Sequence, residues 1–219
     1  MDFSQIKIIG FDLDQTLYPK SPEIDAAIQI YLYQQISSLH GTDMEESGRM
    51  FKELYQNGKG MSGSKTLMKL GFPEEKARNL VQEALENADI AKFLQPNLEL
   101  ISFLHQLKGK YEALDILTGS NTNNASIKLK KLQIPENLFS HILTADHASK
   151  SDLSLYTMWL AFYPEVSPES FLYIGDRASS DFEKPKELGI RSVLVNIKTP
   201  DEKYDCIQLP SFLDLARYI

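Results

Sequence analysis

The sequence predicts an α/β fold, an open parallel sheet carrying an inserted all-helical domain, and three observations lead there. Short apolar runs rich in β-formers recur along the chain without strict apolar–polar alternation, as in strands buried on both faces of a parallel sheet. Segments with a period of three to four residues lie between them, so strand and helix alternate. The gap between the first two runs is about 100 residues, where a βαβ unit takes roughly 30, and that gap itself reads as helical.

Residues 7–11 (KIIGF) open the sheet. In the gap, Ile24, Ile28, Leu32 and Ile36 step by four and predict a helix. Thr42 and Glu45 have the spacing of a capping box and predict a second helix through Phe51 and Leu54. Ser64 is placed to cap the short TLMKL helix, Gly71 to end it, and Pro73 to start a fourth whose face carries Ala77, Leu80, Val81 and Ala84. The Gly- and Ser-rich residues 56–64 (QNGKGMSGS) read as the most flexible stretch, with Gln95 and Pro96 as the return hinge. Met44, Met50, Met61 and Met68 are expected in the core of this helical domain. The expected division is a catalytic core of residues 1–18 and 96–219 and a helical cap of residues 19–95.

Beyond the gap, Leu98, Ile101, Leu104 and Leu107 mark a helix leading into the run at 113–117 (ALDIL). Ile127, Leu129 and Leu132 mark the next, with Lys128, Lys130 and Lys131 expected on its solvated face. Further strands are expected at 141–143, 171–174 and 192–195, with a weaker one near Cys206 and Ile207. Leu155, Trp159 and Phe162 predict a helix packed on the sheet. Asp115, inside an apolar strand, is expected to hydrogen-bond locally near the strand start.

With 219 residues, 42% of them hydrophobic, the chain can bury a sizeable core. Its 23 basic residues against 30 acidic ones give a net charge of −7, and no basic cluster offers a footprint for a nucleic-acid polymer or an anionic membrane. Cys206 is the one cysteine, so no intrachain disulfide forms, and with no leader-like start a cytoplasmic location is expected. The four histidines lack HxxxH or HExxH spacing, which argues against zinc.

Chemistry concentrates where the strands end. In an open α/β sheet the ligand crevice lies just past the carboxyl ends of the strands. Asp12 and Asp14 follow the first strand, Thr118 the second, Lys150 lies shortly after the third, and Asp176 follows the fourth with Asp181 five residues on. Carboxylates brought together raise one another's pKa unless a cation intervenes; a hard divalent ion, Mg²⁺ foremost, removes the conflict and leaves room for phosphate oxygens. A unit pair at 4 Å in a dielectric near 20 interacts by about 4 kcal/mol, so one metal ion and one lysine outweigh the diffuse surface charge.

The segments FDLDQTLY, LTGS, the lysine after the next strand, and YIGDRASSD, in this order, resemble the four motifs of the haloacid dehalogenase (HAD) superfamily, whose core is a HAD-like, Rossmann-like parallel sheet. The resemblance implies Asp12 as the nucleophile that forms an aspartyl phosphate, and Asp14 as the acid for the leaving oxygen and then the base for water. It implies that Thr118, Gly119 and Lys150 bind the phosphoryl group and that Tyr18 lies on the substrate side. Mg²⁺ would be held by the Asp12 carboxylate, the Asp14 backbone carbonyl and Asp176, with Asp181 and Thr16 orienting from behind. Dehalogenase members lack the second aspartate, so Asp14 points to phosphate chemistry. The insertion resembles a C1-type cap, and the opening through Tyr18 is most similar to the pyrimidine 5′-nucleotidase-like branch. The expected protein is a Mg²⁺-dependent phosphatase of a small soluble phosphomonoester, a nucleoside 5′-monophosphate among the candidates. The alternatives are a receiver-like phosphoacceptor, a non-catalytic phospho-ligand-binding protein and a phosphomutase of the same fold. Three departures from the family pattern stand out: Ser151 after Lys150, Gly119 and Ser120 after Thr118, and Pro185, which kinks the last helix unless that helix starts late.

Overall fold

A run of four fully buried residues, Ile8–Phe11, forms the central strand β1. The computed structural model describes residues 2–19, 21–57, 62–87, 90–150 and 152–219. Around β1 stand β2 (Ala113–Leu117), β3 (His141–Leu143), β4 (Phe171–Gly175), β5 (Arg191–Leu194) and β6 (Ile207–Gln208) in the order β3-β2-β1-β4-β5-β6, and each paired neighbour is parallel. Ile8 is level with Ala113 on one side and Phe171 on the other, and Phe11 with Ile116 and Ile174. The carboxyl ends of β1, β2 and β4 therefore finish along one edge. Sequence neighbours diverge at β1, which makes the crevice past its end the ligand position of a doubly wound sheet.

The chain divides into two compact units, Met1–Pro19 with Leu94–Ile219, and Lys20–Phe93. In the first, α5 (Leu98–Lys110) buries Leu100, Phe103, Leu104 and Leu107, while Leu98 opens the helix in solvent. The helix α6 (Thr122–Lys131) starts from Asn121, whose side chain accepts from the Asn124 N–H at 2.8 Å. The helix α7 (Ser154–Ala161) lays Trp159 flat against β1, where a Cβ on Gly10 would sit 2.7 Å from the indole. Only glycine fits beneath that ring, and an alanine there would force it off the sheet. Phe162 lies past the helix end, 45% exposed and stacked on His141 at 4.1 Å.

Asp115 corrects the expectation of a local hydrogen bond near the strand start. It sits fully buried in mid-β2 and accepts from the Trp159 indole N–H at 2.8 Å, the Tyr163 hydroxyl at 2.7 Å and the His141 N–H at 2.8 Å. Burial raises its pKa while these donors oppose the shift. One buried carboxylate thus ties β2 to β3 and to the α7 region.

The second unit holds α1 (Pro22–His40), α2 (Met44–Asn57), α3 (Gly63–Lys69) and α4 (Glu74–Asn87). Its core joins Leu32, Tyr33, Ile36, Phe51, Leu67, Phe72, Ala77, Leu80 and Ala84. Ser21 caps α1, and Gly41, at φ 67°, ends it in the left-handed conformation that glycine tolerates. Two caps shift by one or two residues from expectation. Asp43, not Thr42, accepts from the N–H three residues on, Glu46, at 2.8 Å; Ser62, not Ser64, accepts from Lys65 at 3.3 Å. An aspartate beside a threonine wins the N-cap because its carboxylate also complements the helix dipole. Met44 and Met68 are each 40% exposed and so outside this core, while Met50 packs against it. Met61 and the middle of the Gly- and Ser-rich stretch lie outside the described residues. Among the described residues, no helix is long and apolar enough to cross a membrane.

Candidate active site

Two clusters of polar side chains meet past the ends of β1, β2 and β4. The first surrounds Asp12, 5% exposed, whose N–H continues the sheet by donating to the Ile174 carbonyl at 2.8 Å. One carboxylate oxygen accepts from the Lys150 ammonium at 2.8 Å and the other from the Thr16 hydroxyl at 3.1 Å. Lys150 also pairs with Asp181 Oδ1 at 2.7 Å and lies 5.2 Å above the Tyr173 ring. The other Asp181 oxygen accepts from the N–H groups of Asp176 and Arg177 at 3.1 and 3.0 Å. Asp181 fits so closely that a Cβ on Gly175 would lie 2.5 Å from its own Cβ.

The segment that delivers Asp181, Ala178–Glu183, is a short π-helical stretch, a wide geometry frequent at functional sites. It also accommodates Pro185. The helix does start late, as α8 (Lys184–Glu187), and the proline falls in its first turn, where no helical N–H is needed. Ser151, the departure after Lys150, lies outside the described residues.

Oxygens of Asp12, Asp176 and Asp181 lie within 4.8 Å of one another. Burial pushes Asp12 up to about 6, against the pull of Lys150 and with the push of Asp181 and Asp14. Burial, then Asp12, pushes Asp176 up to about 7. Burial works against the charge of Lys150 too, yet Asp12 and Asp181 hold its pKa well above the usual value. Two buried acids and a half-buried third keep a like-charge repulsion that Lys150 and the Arg177 guanidinium beside Asp176 do not cancel, and such a hard-oxygen set is the donor chemistry a divalent cation fits. Asp181 stands inside this set and not only behind it.

The second cluster surrounds Asp14. Its Oδ1 accepts from the Tyr18 hydroxyl at 2.6 Å and from the Lys128 ammonium; its Oδ2 accepts from the Ser120 hydroxyl at 2.7 Å and the Thr118 hydroxyl at 3.2 Å. Burial alone would raise its pKa, but Lys128, Ser120 and Tyr18 reverse this and bring it down to about 2. Tyr18 is itself buried, and burial and Asp14 raise its pKa. Gly119 is exposed, with open space where a side chain would be.

One expectation is corrected in this cluster. Lys128 is not on a solvated face: it is 3% exposed, unlike Lys130 and Lys131. The helical period carried the signal, because position 128 is three residues past Ala125 and four before Leu132, both buried. The departure at Gly119 and Ser120 still gives the site a polar side chain, since Ser120 is buried and donates to Asp14.

The turn that follows the two aspartates is held from a distance. Gln15 has φ 63°, and its carbonyl accepts from Asn196 Nδ2 at 2.6 Å; Asn196, just beyond β5, has φ 60°. Nothing in the sequence pattern pointed to Asn196, which is a lone asparagine after an apolar run.

A family model described as haloacid dehalogenase-like hydrolase matches residues 9–195. The glyceraldehyde 3-phosphate phosphatase of Methanocaldococcus jannaschii is 28% identical over 197 residues, covering 87% of this chain and 85% of that one. Among solved structures, a haloacid dehalogenase-like family hydrolase from Streptococcus pneumoniae aligns with a TM-score of 0.69 at 19% identity, over 98% of this chain and 99% of that one. A HAD phosphatase from Thermococcus onnurineus aligns at 0.67 with 21% identity, over 97% of both. With the family matched from β1 to the end of β5 and the four motif segments gathered at one sheet edge, the chain belongs to the haloacid dehalogenase-like hydrolases.

Proposed function

We propose that the chain is a Mg²⁺-dependent phosphatase of small soluble phosphomonoesters that works through an aspartyl phosphate on Asp12. The observation that carries this reading is the pair of unlike carboxylates two residues apart, Asp12 held by Lys150 and Thr16 in the acidic cluster, and Asp14 caged by four donors outside it. A single carboxylate can serve a phosphoacceptor or a binding site; a nucleophile and a separate acid and base serve turnover.

In this mechanism an Asp12 oxygen bonds to phosphorus while the ester P–O bond breaks, and the leaving oxygen keeps the electron pair and takes a proton from Asp14. Water then attacks the aspartyl phosphate, Asp14 takes a proton from it, the Asp12–phosphorus bond breaks and inorganic phosphate leaves. Lys150 keeps the Asp12 carboxylate aligned and faces the phosphoryl oxygens, joined by Thr118 and the open backbone at Gly119. Asp12, Asp176 and the Asp14 carbonyl would hold Mg²⁺, with Asp181 and Thr16 fixing the geometry. When bound, that ion neutralises the charge gathering on the transferring phosphoryl group.

Residues 19–95 act in this reading as a C1-type cap that selects the substrate, and residues 1–18 and 96–219 as the catalytic core. A triose phosphate ranks high among substrates because the Methanocaldococcus jannaschii relative is a glyceraldehyde 3-phosphate phosphatase. A nucleoside 5′-monophosphate remains a candidate on the resemblance of the DxDxTLY opening to the pyrimidine 5′-nucleotidase-like branch, with Tyr18 beside the acid. The purified protein is expected to hydrolyse an aryl phosphate with Mg²⁺, to lose activity with chelator and to lose it in Asp12→Asn. Turnover that survives Asp12→Asn overturns the reading, and a phosphomonoester panel then ranks triose phosphates against nucleotides.

A further inference from the structure

Tyr173 is fully buried in mid-β4, where a leucine or phenylalanine would serve packing, yet its hydroxyl reaches two strands away. It is level with Gly10, and a Cβ on that glycine would lie 3.1 Å from the tyrosine ring, so the missing side chain leaves the ring room over β1. Across β1, the hydroxyl donates at 2.8 Å to the carbonyl of Leu117, the last residue of β2 and the one before Thr118. Tyr156 and Trp159 meet the ring edge-on, with centroids at 5.1 and 6.0 Å. The ring is thus fixed by its own hydroxyl and by two neighbouring rings.

The Lys150 ammonium lies over this fixed ring, 5.2 Å from its centre. Four other described lysines also stand over aromatic rings, but Lys92, Lys110 and Lys203 do so over the next residue in sequence, and Lys186 over Phe182 four residues back. Those contacts follow from chain adjacency. The contact of Lys150 joins separate elements, and the lysine side chain is only 11% exposed, the setting in which a ring attracts a cation most strongly. An ammonium on a flexible four-carbon stem has no fixed direction of its own. Asp12 and Asp181 hold it at 2.8 and 2.7 Å, and the ring attracts the same charge without adding another carboxylate to a set that already repels itself.

Resting on the reading of Lys150 as the cation that aligns Asp12 and faces the phosphoryl oxygens, we propose that Tyr173 is a positioning residue for Lys150. Its ring is the floor that holds the ammonium against the Asp12 carboxylate, and its hydroxyl ties that floor to the strand end carrying Thr118. Tyr173 touches no reacting atom and acts through the lysine.

The test weakens the negative face of the ring while keeping its shape. Tyr173→Phe, and the same variant carrying one, two and three ring fluorines, are assayed on an aryl phosphate in Mg²⁺. Tyr173→Phe keeps the ring face and should hold kcat/KM within about threefold of the parent; each added fluorine should lower it further, to about a tenfold loss across the series. Tyr173→Leu, which has no ring, should lose at least as much. In a Lys150→Met background the fluorine trend should vanish and Tyr173→Leu should cost less than about twofold, because the ring acts only through the lysine. A level fluorine series, or a Tyr173→Leu loss that multiplies in full with that of Lys150→Met, overturns the proposal. Should Tyr173→Leu fail to fold, the fluorinated series, which keeps the shape of the core, decides alone. Failure of the underlying reading shows separately: a Lys150→Met protein with undiminished turnover removes the role of the lysine and the proposal with it, whereas a slow Lys150→Met beside a level fluorine series removes the proposal alone.

Discussion

Asp12 and Asp14 are two residues apart in one loop, yet they live in opposite electrostatic surroundings. Asp12 faces two other carboxylates with one lysine among the three, and its pKa is pushed up to about 6. Asp14 faces four donors and no carboxylate partner, and its pKa is brought down to about 2. Desolvation pushes both upward, so it does not separate them; the neighbours do. A strand end can deliver two identical side chains to different chemistry by turning them toward different elements, the β3–α7 loop and the β4 end for one, α6 and the β2 end for the other.

The largest expected effect comes from erasing one side of that contrast. Asp12→Asn removes the oxygen proposed to attack phosphorus and should lower kcat by on the order of 10⁴ in steady-state assays while the fold, read by circular dichroism, is kept. Next is Lys150→Met. It leaves Asp12 and Asp181 without their shared cation, and activity should fall about a hundredfold. Chemical denaturation should show a stability loss of about 3 kcal/mol, as for a buried pair deprived of one partner.

A third prediction uses pH and chelator. Asp12 and Asp176 sit above the unfolded carboxylate value of about 3.9, so the folded metal-free protein holds protons the unfolded chain has lost. Their contribution to stability is full below about pH 4 and is lost as pH rises through about 6 and about 7. Asp14 has the opposite sign: its contribution is full above about pH 4 and is lost as pH falls toward about 2. Chelator-treated protein should therefore lose several degrees of Tm between about pH 5 and 8, and Mg²⁺ should restore them. A flat Tm across that range would mean that the two surroundings do not differ. The smallest effect is expected from Tyr18→Phe, which removes one of four donors to Asp14 and should cost about 1 kcal/mol of stability.

Much of this was legible in the sequence, and the reasons differ by element. The strands at 113–117 and 141–143 end where the apolar runs end, at Thr118 and Thr144, although Asp115 and His141 stand inside them. Asp12, Thr118 and Asp176 were readable because each follows its strand directly, and Lys150 and Asp181 because they fall in the ordered segments that come after. Lys128 was not, because charge was read ahead of helical phase. Asn196 and the partners of Asp115 were not, because their bonds cross between elements and leave no local period. The cap of α2 slipped by one because two capping residues adjoin, and only the carboxylate gains from the helix dipole.

The bond from Asn196 to the Gln15 carbonyl gives the catalytic loop a dependence on the last quarter of the chain. The turn at Gln15 is left-handed and strained for a residue other than glycine, so it persists only while something outside it pays the difference. If β5 and β6 at the sheet edge open before the rest, the loop is released with them. Amide exchange at Thr16 and Leu17, whose N–H groups bond back to Leu13 at 3.3 and 3.1 Å, would then follow exchange at Val195 and not that of the β1 interior. Such a molecule would go silent by fraying at its far end while its centre stayed folded.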